Sequence, residues 1–138
     1  MRMLTGLIAA VMLTIIVADA QAFEVPYESW MGAYVGEKKV GYLSFKIEQG
    51  EYEGTKGYRI SSVLNNHLVV LGAELTQLVT SVVHTDADFK PLMEDFAMSS
   101  GGKTTRVRGT FEKNTVDCVI SAGSGSSHSL RRSIAAGT

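Results

Sequence analysis

The stretch Leu92 to Glu112, LMEDFAMSSGGKTTRVRGTFE, constrains the chain more than any other. Two β-compatible runs flank Ser100-Gly101-Gly102, and glycine adopts the positive φ angles of a tight hairpin turn without a steric penalty. On the return limb Thr104, Arg106, Arg108, Thr110 and Glu112 alternate with Thr105, Val107, Gly109 and Phe111. A period of two with one polar and one largely apolar face is the pattern of a half-buried antiparallel sheet.

The same pattern extends outwards from this hairpin. Glu28 to Val35 reads as a first, aromatic-rich strand, followed by a turn at Gly36 to Lys39. Val40 to Gln49 places Leu43, Phe45 and Ile47 on one face, a turn is expected at Gly50 to Gly54, and Gly57 to Asn65 aligns Tyr58, Ile60 and Leu64. His67 to His84 has leucines at helical spacing, but Gly72 and the β-branched Val79, Thr80, Val82 and Val83 favour a strand with a bend or bulge near Gly72. A turn at Asp86-Ala87-Asp88 leads to Pro91, which suits the start of a strand because it has no N–H to donate. After Asn114, Thr115 to Ala122 forms a strand with Val116, Cys118 and Ile120 on one face, Gly123 to Ser127 a loop, and Ser129 to Ile134 a final run. The prediction is an all-β fold, an antiparallel meander of about seven to nine strands forming a curved sheet or open half-barrel. A meander that stops in this way leaves an exposed edge, so a longer polypeptide is expected.

The N-terminus reads as an export signal. Met1-Arg2-Met3 is positive, Leu4 to Ala18 is apolar but shorter than the ~20 residues of a comfortable span, and Ala20-Gln21-Ala22 fits a signal peptidase site. Residues 1–22 are expected to be a cleaved signal peptide and 23–138 a single exported β domain, periplasmic or extracellular, with no stable membrane span after cleavage. An uncleaved N-terminal anchor is the alternative. Removing Arg2 and Asp19 from the 13 basic and 14 acidic residues leaves 12 and 13. That near-neutral balance argues against nucleic acid as a partner. With Cys118 the only cysteine, no internal disulfide can form.

No triad, metal motif or cofactor motif emerges, so no catalytic, metal or cofactor-binding residue is assigned and no enzymatic activity is expected. Cys118 lies in phase with Val116 and Ile120 and reads as a small core residue rather than a nucleophile. His67, His84 and His128 lack the short paired spacing of a metal site, and Asp86 and Asp88 read as turn residues. Two surface features remain. Trp30, Tyr34, Tyr42 and Phe45 are a candidate groove for a hydrophobic ligand or peptide, against the alternative of cross-strand core pairs. Lys103, Arg106 and Arg108, with Arg131 and Arg132, are candidate contacts to an anionic surface, against the alternative of a solvated face that protects a sheet edge.

ESWMGAYVGEKKVGYLSFKIE (28 to 48) and MSSGGKTTRVRG (98 to 109) resemble the N-terminal β region found ahead of the catalytic domain in bacterial exported transglutaminase-like proteins. Trp30, Gly32, Tyr34, Lys39, Val40, Gly41 and Tyr42 fit its pattern of a Trp-x-Gly-x-Tyr strand, a polar turn and a Lys-Val-Gly-Tyr strand. The resemblance implies a non-catalytic accessory module with a downstream Cys, His, Asp catalytic domain in the same polypeptide. Cys118 does not match the catalytic position. More loosely, the expected architecture is similar to the half-barrels of periplasmic lipoprotein carriers, which implies the alternative of a carrier or binder of hydrophobic ligands.

Overall fold

The computed structural model describes residues 24–123 and 125–134. The expected signal peptide lies outside the described residues. Eight strands follow one another: β1 (Tyr27–Val35), β2 (Lys38–Tyr52), β3 (Thr55–Val70), β4 (Ala73–Asp86), β5 (Pro91–Ser100), β6 (Lys103–Glu112), β7 (Thr115–Ala122) and β8 (Ser126–Ser133). Each pairs antiparallel with the next, in the spatial order β1 to β8. Among the described residues β1 pairs only with β2 and β8 only with β7, so the meander is one open sheet. The expected all-β meander is therefore found, with its strand count inside the expected range.

The turns explain where the strands end, and they correct two expected boundaries. Gly101 and Gly102 form the β5–β6 turn with φ of 56° and 74°, the positive pair that a type I′ hairpin requires. The β3–β4 turn has the same φ pattern at Leu71 and Gly72, 51° and 81°. His67 to His84 is therefore not one bent strand but the end of β3, a tight turn and most of β4. A leucine in the left-handed region costs about 1 to 2 kcal/mol, which is why nothing at position 71 signals a turn in the sequence.

The β2–β3 turn is also tighter than expected. It falls at Glu53-Gly54, and the ladder runs on through Gly50↔Gly57, Glu51↔Lys56 and Tyr52↔Thr55. Two opposed glycines are carried inside the ladder there, so Gly50 marks no break. At the β4–β5 connection Asp86 Oδ1 accepts backbone hydrogen bonds from Asp88 and Lys90, both 2.9 Å, which is the turn chemistry expected of this segment.

The sheet is strongly curved. Cα atoms of β2 and β4, with β3 between them, approach within 8 Å, closer than the ~9.6 Å that two strand spacings span in a flat sheet. Register shifts at Ala33/Tyr34 and His84/Thr85 mark irregularities of the kind that bend strands. Glycine permits two close approaches. A Cβ on Gly41 would lie 1.9 Å from the Asn65 carbonyl oxygen, and one on Gly57 would lie 2.0 Å from that of Thr85.

Register assigns every strand residue to one of two faces, and the faces differ in kind. One row across the sheet reads Tyr27, Ile47, Ile60, Val83, Glu94, Gly109, Cys118, Leu130. The next row reads Ser29, Phe45, Ser62, Ser81, Phe96, Val107, Ile120, His128, and Leu43, Leu64, Val79 and Met98 stand in the row beyond. The most buried side chains among the described residues, those of Ile47, Ile60, Val79 and Thr85, all belong to this apolar face. The other face is the more polar and carries every ion pair among the described residues, although Trp30, Tyr34, Tyr42, Val69, Leu78 and Val119 are exposed on it.

Candidate functional site

The apolar face runs across all eight strands of the sheet. It is assembled from the alternation readable in single strands: Leu43, Phe45 and Ile47 in β2, Tyr58, Ile60 and Leu64 in β3, Val116, Cys118 and Ile120 in β7. Cross-strand pairing aligns these triplets with one another. Their burial is incomplete, since a single layer has no second sheet to cover it. Among the described residues only Ile47, Ile60 and Val79 are buried hydrophobic side chains, while Met31 and Leu75 on the same face are 51% and 38% exposed. Tyr27 and Phe45 meet edge to face at 6.5 Å on this surface.

The expected aromatic groove does not assemble as one surface. Phe45 stands on the apolar face, whereas Trp30, Tyr34 and Tyr42 stand on the opposite one, because alternation along each strand separates them and the Tyr34 ring lies beside Gly32. Trp30 and Tyr42 pack with ring centroids 5.5 Å apart, and Trp30 Nε1 donates to Glu28 Oε1 at 2.9 Å. The Tyr34 ring lies over Gly32, where a Cβ would come within 2.6 Å of Cε2. These three aromatics form a separate cluster beside the exposed edge strand β1, with Trp30 63% exposed. The hydrophobic residues that sequence reasoning missed are Phe96 and Met98, hidden in the acidic context of Met93-Glu94-Asp95.

The basic stripe is also divided. Lys103 falls on the apolar face at the start of β6, and Arg132 on that face near the end of β8. Arg106 and Arg108 share the polar face but converge on Asp95, at 3.5 and 2.6 Å. Arg131 makes a two-pronged contact with Asp117, Nε to Oδ1 at 2.5 Å and Nη2 to Oδ2 at 2.6 Å. That contact holds the Asp117 carboxyl below the usual range and raises the Arg131 guanidinium. The arginines thus neutralise carboxylates of their own sheet, the cross-strand pairing that an antiparallel polar face favours. Glu48 is shared in the same way by Lys46 and Arg59, at 3.1 and 3.3 Å.

Glu94 stands apart on the other face. It stands in the central row of the apolar face, between Val83 of β4 and Gly109 of β6, two residues before Phe96. Burial pushes its carboxyl above the ordinary value of 4.5, and a hydrogen bond from the Ser81 hydroxyl only partly opposes the shift. The native state therefore holds this proton more tightly than the unfolded chain does. The consequence is a loss of stability as pH rises from 4.5 through the raised native value. Glu94→Gln is expected to raise stability at neutral pH and to flatten that limb of the profile. Urea midpoints measured between about pH 4 and pH 8 test it; parallel profiles for the two proteins would contradict the assignment.

Cys118 lies in the same row, beside Gly109, partly buried among apolar neighbours. The histidines are dispersed. His67 Nδ1 lies 3.1 Å from Thr76 Oγ1, His84 sits beneath Tyr52 with centroids 5.4 Å apart, and His128 is on β8. Among the described residues no three His, Cys, Asp or Glu side chains gather as metal ligands, and no helix is long and apolar enough to cross a membrane. Comparison of the chain with protein-family models, with curated proteins and with solved structures finds no match.

Proposed function

We propose that the chain is a non-catalytic exported β module that binds a hydrophobic ligand on its apolar face. The observation that carries this reading is the uncovered row structure of that face. Apolar side chains from Met31 on β1 to Leu130 on β8 predominate on this face, and Tyr27, Met31, Leu75 and Leu130 among them remain exposed. Exposed apolar surface of this extent is costly in water and marks a site that something covers. An acyl or alkyl chain laid across the rows would remove it from solvent.

The test uses paired charges on one hairpin. Leu75 and Val69 are both partly exposed and flank the same β3–β4 turn, but register puts Leu75 on the apolar face and Val69 on the polar one. The full chain is expected to bind the apolar dye N-phenyl-1-naphthylamine saturably, with enhanced fluorescence. Leu75→Glu should weaken that binding by about tenfold, the effect of placing a charge on apolar contact surface, and Val69→Glu should leave it unchanged. Equal effects of the two substitutions, or no saturable binding, would refute the reading.

A second reading, an accessory module of a longer transglutaminase-like protein, draws support from the aromatic cluster. Trp30, Gly32, Tyr34 and Tyr42, residues that carry the resemblance, gather at the β1 edge on the polar face. A surface of that kind suits contact with a neighbouring domain, and it leaves the apolar face available for ligand.

A further inference from the structure

We propose that Glu94 is the polar anchor of the ligand site, and that the ligand is a single-chain amphiphile whose head is an ammonium group. This rests on the hydrophobic-ligand reading and adds to it the chemistry of the ligand's polar end. The argument is one of charge placement. On the polar face, Glu48, Asp95 and Asp117 each have a cationic partner within 3.5 Å. Among the described residues no such ion pair reaches Glu94, although its carboxyl is partly buried. The other charged residues that register places on its face, Glu51, Lys56, Lys103 and Arg132 among them, stand within two residues of a strand end. Glu94 is the ionisable acid of the face's interior.

A carboxyl in this position destabilises the sheet unless a partner offsets its burial. Its neighbours cannot do so: in register, Val83 is apolar and Gly109 has no side chain, and from the next row Ser81 supplies one hydroxyl. An incoming ammonium supplies both charge and N–H donors, while its alkyl chain covers the rows of Phe96 and Ile60. An anionic head would be repelled at the same place, and an uncharged hydroxyl would gain only an ordinary hydrogen bond. Charge complementarity therefore selects a cationic amphiphile over a fatty acid.

The experiment compares three probes of one chain length, decylammonium, decanol and decanoate, as displacers of N-phenyl-1-naphthylamine from the full chain. Decylammonium is expected to displace the dye at concentrations about tenfold to a hundredfold below decanol, the range that a charge-assisted hydrogen bond supplies, with decanoate weakest. In Glu94→Gln, which removes a destabilising charge and so is expected to fold, the preference for decylammonium over decanol should collapse. Glu94→Asp, with a shorter reach, should retain part of it. If all three probes displace the dye equally, or if the preference survives in Glu94→Gln, the role of Glu94 is overturned and the apolar site stands. If neither the dye nor any probe binds, both readings fall together.

Discussion

Gly57→Ala is expected to disrupt the β3–β4 ladder, at a cost of about 2 to 3 kcal/mol or more. The added Cβ would lie 2.0 Å from the carbonyl oxygen of Thr85 and 2.5 Å from the carbonyl carbon of Asp86. These are backbone atoms, so no side-chain rotation relieves the contact, and the strands themselves must separate. Overpacking that moves backbone sits at the upper end of the 1 to 3 kcal/mol range typical of such substitutions. The site is sensitive for a second reason: Thr85 is buried, and on its other side the β4–β5 ladder shifts register between His84 and Thr85. Gly109→Ala provides the contrast. There a Cβ would meet Val116, Phe111 and Cys118 side chains at 3.6 to 3.9 Å, ordinary contact. Chemical denaturation should show a large loss for the first variant and little change for the second. Equal losses would mean that the Gly57 contact is relaxed in solution.

The sequence discloses much of this fold because it is a meander. When each strand pairs with the next, local alternation alone sets which residues share a face, and Leu43, Phe45 and Ile47 align with Ile60 and Leu64 as their periodicity implies. The boundaries were less legible where turn residues were atypical. Leu71 occupies a left-handed position that asparagine or glycine usually fills, so Gly72 alone reads as a bend or bulge and not as a hairpin turn. Gly50 gave a false one, since it is used inside the ladder opposite Gly57. The candidate site was only partly legible. Grouping Trp30, Tyr34, Tyr42 and Phe45 by residue type ignored the parity that sends Phe45 to the other face. Grouping Lys103, Arg106 and Arg108 by charge ignored both parity and the cross-strand Asp95 that the two arginines share. Glu94 had no visible signal, since a glutamate in Met-Glu-Asp-Phe reads as solvent-facing until β4 and β6 place Val83 and Gly109 beside it.

Ile60→Ala is expected to cost about 3 kcal/mol, within the range for truncating a buried isoleucine. Ile60 lies between Ile47 and Val83 in the central row and is 6% exposed, so its loss opens space against two strands at once. The same truncation at Leu75, on the same face but 38% exposed, should cost about 1 kcal/mol, because less apolar area leaves water on folding. The ratio matters because this sheet concentrates its burial in few positions. A domain stable by about 5 to 15 kcal/mol loses a large fraction of that to one such change. Ligand binding then becomes part of the same equilibrium: an occupant of the apolar face stabilises the native state by RT ln(1 + [L]/Kd), about 2.7 kcal/mol at a hundredfold excess over Kd. Saturating ligand is therefore expected to restore most of the lost thermal stability in Leu75→Ala and Ile60→Ala alike, provided each variant still binds. A thermal shift measured with and without decylammonium checks this coupling. Protection that fails to appear in the unmodified chain would show that nothing of this chemistry covers the apolar face.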